Sequence, residues 1–324
     1  MKEKWLMRRE ARASVRLRCG TALNAPLKAV FALFALLLAS CATVPLDTGI
    51  ERPYYAPSPV TNTERPVIGL VLGSGAARGF AHIGVIQVLE ANGIEPDVIV
   101  GSSSGSMVGA LYAGGYDGRA LEKLAENMKE SDIRNFVFPD RGFVRGRALQ
   151  EFVNRHLKNR SIEQLGKAFA VVATDLREGK SVVFNRGNTG LAVRASSSIP
   201  GLFQPVQIDD RDYVDGALLS PLPIKTAREL GAEVVIASDV SRQPDSKSQF
   251  DSVISILDQT IAIVGRFVAA QEVSEADVVI QPHTEEIGRF DFEDTRKAIA
   301  EGRAAAKNAL PRILEALRAR QGNK

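Results

Sequence analysis

The chain has 324 residues and a formal charge of +3, with 45% apolar, 24% charged and 6% aromatic residues. That balance excludes a disordered, collagenous or coiled-coil protein, and two cysteines exclude a disulfide-rich scaffold or a four-cysteine zinc site. The charge is uneven: residues 1–40 hold eight Lys and Arg against Glu3 and Glu10, so the remainder carries −3 and offers no electrostatic footprint for nucleic acid.

The basic start is followed by an apolar run at 29–39, AVFALFALLLA. It is too short for a bilayer span, which takes about 20 residues, and fits the apolar stretch of a secretory signal. The run ends in Leu38-Ala39-Ser40-Cys41, which resembles the lipobox of bacterial lipoproteins. Small residues there enter a peptidase cleft, and the thiol accepts the lipid. On this reading residues 1–40 are a signal peptide starting at Met1 or Met7, Cys19 leaves with it, and lipidated Cys41 anchors the protein to a membrane. Ala42 in place of Asp implies, by the same resemblance, an exported lipoprotein of the outer membrane facing the periplasm. The alternative is a chance cysteine behind an ordinary signal or short anchor. Residues 41–66 contain Pro45, Pro53, Pro57, Pro59 and Pro66, which forbid a helix. They are expected to form an extended tether reaching about 75 Å.

From residue 67 short apolar runs alternate with helical periodicity. Strands are expected at 67–72 (VIGLVL), 97–100, 168–173 (AFAVVA), 181–184, 234–237 and 278–281. Helices are expected at 80–91, stopped by Gly93, and at 104–113, 223–230, 251–273 and 293–318, the last interrupted near Pro311. Strands separated by helices imply a largely parallel sheet covered on both faces, forming one α/β domain over 67–324.

Three constellations carry chemistry. The first, Gly73-Ser74-Gly75-Ala76-Ala77-Arg78-Gly79, lies between a strand and a helix. Glycines allow a tight turn with exposed N–H groups, and a helix N-terminus adds positive dipole. The spacing departs from a dinucleotide loop, and no Lys-Ser/Thr follows as a P-loop requires. An oxyanion hole and a purely structural turn remain open. The second, Gly101-Ser102-Ser103-Ser104-Gly105, has the form of a nucleophile elbow, with glycines where side chains would crowd Ser103. The third is Tyr213-Val214-Asp215-Gly216-Ala217, a strand-like pair ending in Asp-Gly; by itself such a pair reads as a turn. An elbow serine needs a base, yet His82, His156 and His283 have no distinctive base context and read as core or surface residues.

Together these stretches resemble the patatin-like phospholipase family over residues 66–305. The resemblance is carried by GLVLGSGAARGFAHIGVIQVLEANGI at 69–94, VGSSSGSMVGALYAGG at 100–115, RASSSIPGLFQPV at 194–206 and YVDGALLSPLPI at 213–224. Ser74 and Ala217 stand where many members have glycine. The resemblance implies a three-layer α/β/α fold with a largely parallel central sheet, and a serine acyl hydrolase acting on phospholipid or lysophospholipid esters without metal or cofactor. By position it implies Ser103 as nucleophile and Asp215 as base. Gly73, Ser74, Gly75 and Ala76 would form the oxyanion loop, and Arg78 would orient that loop or meet a phosphate. A carboxylate at its ordinary pKa is a weak base toward a hydroxyl, so this reading expects a desolvated Asp215 with a raised pKa.

Residues 253–268 (VISILDQTIAIVGRFV) are rich enough in Ile and Val to line an acyl groove or to form a buried core helix. Arg141, Arg145, Arg147, Arg155, Lys158 and Arg160 are placed to greet anionic headgroups or to form a solvated face, and Phe136, Phe138 and Phe143 to form an apolar lip or pack a loop. Residues 194–200 are expected to wall the site. Two other functions stay open: an esterase or thioesterase on other substrates, and a non-catalytic lipid-binding or scaffolding lipoprotein.

Overall fold

A computed structural model describes residues 52–62, 64–133, 144–241, 253–288 and 293–322. The expected signal peptide, Cys41, Arg141, Phe136, Phe138 and Phe143 lie outside the described residues. In chain order the strands are β1 (Ile68–Leu72), β2 (Val98–Ser102), β3 (Ala168–Asp175), β4 (Lys180–Phe184), β5 (Val206–Ile208), β6 (Arg211–Asp215), β7 (Val234–Ser238) and β8 (Val278–Ile280). The α-helices are α1 (Ala81–Ala91), α2 (Ser104–Ala113), α3 (Gly118–Glu126), α4 (Arg147–His156), α5 (Thr189–Ser196), α6 (Ile224–Glu229), α7 (Val253–Glu272) and α8 (Thr295–Gln321).

The strands form one mixed sheet. Its parallel part runs β8-β7-β1-β2-β3, and β6 and β5 extend it antiparallel. β4 pairs antiparallel with β3. The period-2 alternation of a strand sends neighbours to opposite faces. Leu70, Leu72, Ile99, Val171 and Ile236 enter a large core under α1, α2, α4, α5 and α8, while Val71, Val98, Val100, Val172 and Val235 face a smaller one under α6. Both faces are thus covered, which is why the parallel strands read as continuous apolar runs.

β3 sets the geometry of the site. Its first half pairs parallel with β2, ending at Ser102 opposite Val172. Its second half pairs antiparallel with β6, beginning at Asp215 opposite Ala173. Two strands running in opposite directions therefore bring their C-terminal ends together at adjacent residues of a third. β1 and β2 also end side by side, with the chain turning one way to β2 and later returning the other way to β7; ligands of open α/β sheets bind at such a switch point.

Two expectations change. The presumed tether is attached along its second half. Tyr54 forms a bridge with Arg186, Ala56 exchanges two hydrogen bonds with the Asn185 side chain, and the Val60 N–H donates to Leu230 O. An extended, proline-rich segment has unpaired backbone groups, and these find partners on the domain. The final helix runs through Pro311 without interruption. Proline removes one helical hydrogen bond, but Ala306, Ala309 and Ile313 are buried on both sides of it and hold the helix on the core. No helix among the described residues is long and apolar enough to cross a membrane.

Candidate active site

Ser103 closes β2 and caps α2, with φ 52° and ψ −124°. A side-chain-bearing residue reaches positive φ only at a cost of order 1–3 kcal/mol, so the surroundings must enforce it. The enforcement is visible. A Cβ at Gly101 would lie 2.4 Å from Ser106 Cα, and one at Gly105 would lie 2.0 Å from the Leu72 carbonyl oxygen. Only glycine lets the elbow pack this tightly on the end of β1. The Ser106 hydroxyl donates to Ser103 O at 2.6 Å, and the Ser103 N–H donates to Ser196 Oγ at 2.9 Å. Ser196 in turn donates to Val172 O at 2.6 Å.

This arrangement separates the three elbow serines. Ser102 is fully buried at the strand end, and Ser104 Oγ accepts the Gly75 N–H at 3.1 Å. Ser103 Oγ donates to Asp215 Oδ2 at 2.8 Å. The aspartate is held from several sides. Its Oδ1 accepts the Ala217 N–H at 2.8 Å, its own N–H donates to Ser198 O, and its carbonyl accepts the Thr174 hydroxyl. Gly216 lets this turn sit against β3: a Cβ there would be 2.2 Å from Val172 O. Asp215 is 3% exposed and Ser103 6%, so their contact is largely shielded from water.

The glycine loop leaves β1 and forms a short 3-10 turn, Ala76–Phe80, ahead of α1. Its amides differ. Gly73 N–H donates to Ser238 O, Ser74 N–H to Pro221 O and Gly75 N–H to Ser104 Oγ. Ala76, at φ 53°, has an N–H with no hydrogen-bond partner among the described residues. Of the four loop positions expected to serve an oxyanion, three therefore use their amides to fix the loop. Arg78 is buried, and its guanidinium donates to Val240 O and Ile287 O, which ties the loop to two distant segments. His82 is a brace as well. Gly73 O can only accept, so Nε2 carries the proton (2.9 Å) and Nδ1 accepts from the Ser238 hydroxyl (2.8 Å). Burial pushes the His82 pKa down to about 4.

A narrow cleft open to solvent lies over Ser103. Ser74, Ala76 and Ser103 line it with Asp215 and Ala217; Ile199 and Pro200 form one wall, and Ile261, Ala262, Gly265 and Arg266 of α7 another. None of the three histidines lines it. His156 packs beside Tyr116 and Phe152, and His283 is exposed. The segment 194–200 does more than wall the site, since Ser196 Oγ accepts the Ser103 N–H. The RASSSIP run contained that residue, but nothing in its spacing marks one serine of three. Beyond the Ile199 wall, Arg194 donates to Arg145 O and to Gln150 Oε1. Burial first, then the charges of Arg147 and Arg145, push the Arg194 pKa down to about 10. Arg160, by contrast, is spent on the carbonyls of Leu157 and Gly114. Among the described residues no group of three His, Cys, Asp or Glu side chains is gathered as metal ligands.

Residues 70–228 match the family model of patatin-like phospholipases. An uncharacterized NTE family protein of Mycobacterium tuberculosis is 38% identical over 184 residues, 55% of this chain and 50% of its own length. Patatin-like phospholipase domain-containing protein 6 of Mus musculus is 33% identical over 188 residues, 55% of this chain and 14% of its own. The chain spans about half the length of the mycobacterial relatives it matches. Among solved structures, VipD from Legionella pneumophila superposes with a TM-score of 0.52 at 14% identity, over 88% of this chain and 73% of that one, a likeness of fold. The matched segment runs from within β1 through the elbow and the Asp-Gly turn into α6, and by it the chain belongs to the patatin-like phospholipase family.

Proposed function

We propose that this protein is a serine acyl hydrolase of phospholipid or lysophospholipid esters, working through a Ser103–Asp215 dyad. The observation that carries the reading is the 2.8 Å hydrogen bond from Ser103 Oγ to Asp215 Oδ2 at the base of an open cleft. Ser103 Oγ attacks the ester carbonyl carbon while its proton passes to Asp215 Oδ2. The carbonyl oxygen becomes an oxyanion, and the Ala76 N–H is the loop donor available to it. One such donor is worth about 10²–10³ in rate. Gly73, Ser74 and Gly75 shape the loop that presents it. Collapse breaks the bond to the leaving alcohol, which takes the proton from Asp215. Water then attacks the acyl-enzyme, giving its proton to Asp215; Ser103 leaves, recovers the proton, and the fatty acid is released.

Asp215 acts without a histidine relay because it already accepts the serine proton's hydrogen bond directly. The Ala217 N–H fixes its second oxygen, so the carboxylate presents one oxygen to the reaction. Ile199, Pro200, Ile261 and Ala262 give the cleft apolar walls suited to an acyl chain. The lipobox-like Leu38-Ala39-Ser40-Cys41 supports lipidation at Cys41 and a place on the outer membrane. The test is release of fatty acid from phospholipid and lysophospholipid vesicles by the full chain. Release that disappears in Ser103→Ala supports the reading; release unaffected by Ser103→Ala refutes it, as does none from the wild type in the presence of active control lipase.

A further inference from the structure

The lipid-hydrolysing reading leaves open how the cleft meets an insoluble substrate, and the two faces of α7 bear on this. At 3.6 residues per turn, Ile261, Ala262, Gly265 and Arg266 share the side that lines the cleft. Ile256, Ile263, Val264 and Phe267 share the opposite side, where Phe267 is 69% exposed and Ile256 and Ile263 each more than half. Thr260 and Ala270 are exposed on the same side. A surface helix ordinarily turns charged residues outward. Among the described side chains, no exposed position between 256 and 271 of α7 is charged. A contiguous apolar face of this kind marks an interaction surface.

Its neighbourhood indicates the occupant. Leu257 packs where a Cβ on Gly201 would be, and Ile261 packs with Val144, Ile199 and Phe203. That apolar wall continues directly into Arg145 and Arg147, with Arg194 against Gly146. None of these three arginines has an ion-pair partner among the described residues. An uncharged apolar face bordered by unpaired cations, on the helix that also walls the cleft, matches the interface of a bilayer carrying anionic lipid.

We infer that the outward face of α7 docks on a lipid bilayer, with Ile263, Val264 and Phe267 entering the boundary between headgroups and acyl chains and Arg145 and Arg147 meeting anionic headgroups. The inference rests on the acyl-hydrolase reading for its purpose but not for its test. The full chain carrying Cys19→Ser, Cys41→Ser and Ala270→Cys is labelled at position 270 with an environment-sensitive fluorophore. A control carries the label at Lys180→Cys on β4. Vesicles contain phosphatidylcholine, a minor share of phosphatidylglycerol and a nitroxide-bearing lipid as quencher.

Docking predicts a blue shift and quenching at 270 but not at 180, both retained in Ser103→Ala. Ile263→Ser/Phe267→Ser should weaken vesicle binding about ten- to a hundred-fold while hydrolysis of a dissolved short-chain ester stays within about two-fold. Arg145→Gln should weaken it about five-fold on anionic vesicles only. Equal responses at both positions overturn the inference. So does a label at 270 already shielded before vesicles are added, which would mean that a second copy or another segment of this chain covers the face. Retained hydrolysis in Ser103→Ala would instead refute the dyad and leave the docking result standing.

Discussion

The two strands that end at the candidate dyad come from different kinds of structure. β2 belongs to the parallel part of the sheet, buried on both faces, and its end is clamped by Gly101, Gly105, Ser106 and Ser196. β6 belongs to an antiparallel extension in which β5 has only three residues and Arg211 at the start of β6 is exposed. The first region stores the strained Ser103 backbone. The second brings one carboxylate into register through β3 and the Asp-Gly turn. Rigidity is thus concentrated around Ser103, the proposed nucleophile, while a short extension is enough to position Asp215, its proposed acceptor, which its own turn already fixes.

The largest effect that tests this division is on turnover. Ser103→Ala should lower hydrolysis about 10⁴-fold or more and Asp215→Asn about 10³–10⁴-fold. The double variant should be no worse than Ser103→Ala, since the two act as one unit. Steady-state kinetics on one lipid substrate checks this.

The next effect is on stability. Gly105→Ala drives a methyl into the Leu72 carbonyl within the rigid region and should cost about 3 kcal/mol or more in urea unfolding. Gly216→Ala meets the Val172 carbonyl at a similar distance, but the short extension can shift. Its expected signature is a smaller stability loss with a turnover loss of about 10²-fold, because a 1 Å displacement of Asp215 suffices for that. If Gly216→Ala proves the more destabilising of the two, the contrast between the regions fails.

Ser196→Ala leaves the buried Ser103 N–H without its acceptor and should cost about 1–3 kcal/mol, with kcat reduced about ten-fold and KM little changed. An unchanged kcat would mean that the elbow holds its shape without that bond.

The smallest effects are pH-linked and oppose one another. Burial holds His82 neutral down to about 4, so the unfolded chain takes up its proton first. The stability it confers is complete above pH 6.5 and is lost as pH falls toward 4. Burial pushes Glu272, on α7 beside Ser220, up to about 7. Here the folded state holds the proton, so stability is full below about 4.5 and is lost as pH rises through 7. Thermal melts between pH 5 and 8 should show Glu272→Gln removing about 1 kcal/mol of alkaline loss, a figure reduced for its partial exposure. An unaltered pH slope would place the proton elsewhere.

The parallel part was the more legible in the sequence. VIGLVL, AFAVVA and the run at 234–237 are strands because two-sided burial leaves no polar alternation to confuse the reading. The helix expected at 104–113 coincides with α2 to the residue because the flanking elbow fixes its start. The extension was harder to see. β5 is three residues long, and β6 carries the polar Arg211 and Asp212, so only its last residues look like strand. α3 and α4 are strongly amphipathic, yet no helix bounds are expected from the sequence at either position. Within the site, Ser103 is marked by its flanking Gly101 and Gly105, whereas the Asp215-Gly216 pair alone reads as a turn and takes its expected role from the family resemblance. Ser196 carried no such mark, because its role depends on a contact 93 residues away. The amides of Gly73, Ser74 and Gly75 could not be sorted from that of Ala76 by composition. Their partners, Ser238, Pro221 and Ser104, come from three separate segments.

The central claim is that Ser103 is made nucleophilic by Asp215, and its most direct test is the rate of covalent capture. The full chain is treated with a long-chain fluorophosphonate and the modified residue is read by mass spectrometry over time. The account predicts modification at Ser103 alone, none in Ser103→Ala, and a rate about 10³-fold lower in a folded Asp215→Asn protein. Modification at another serine, or an unchanged rate in Asp215→Asn, would contradict it.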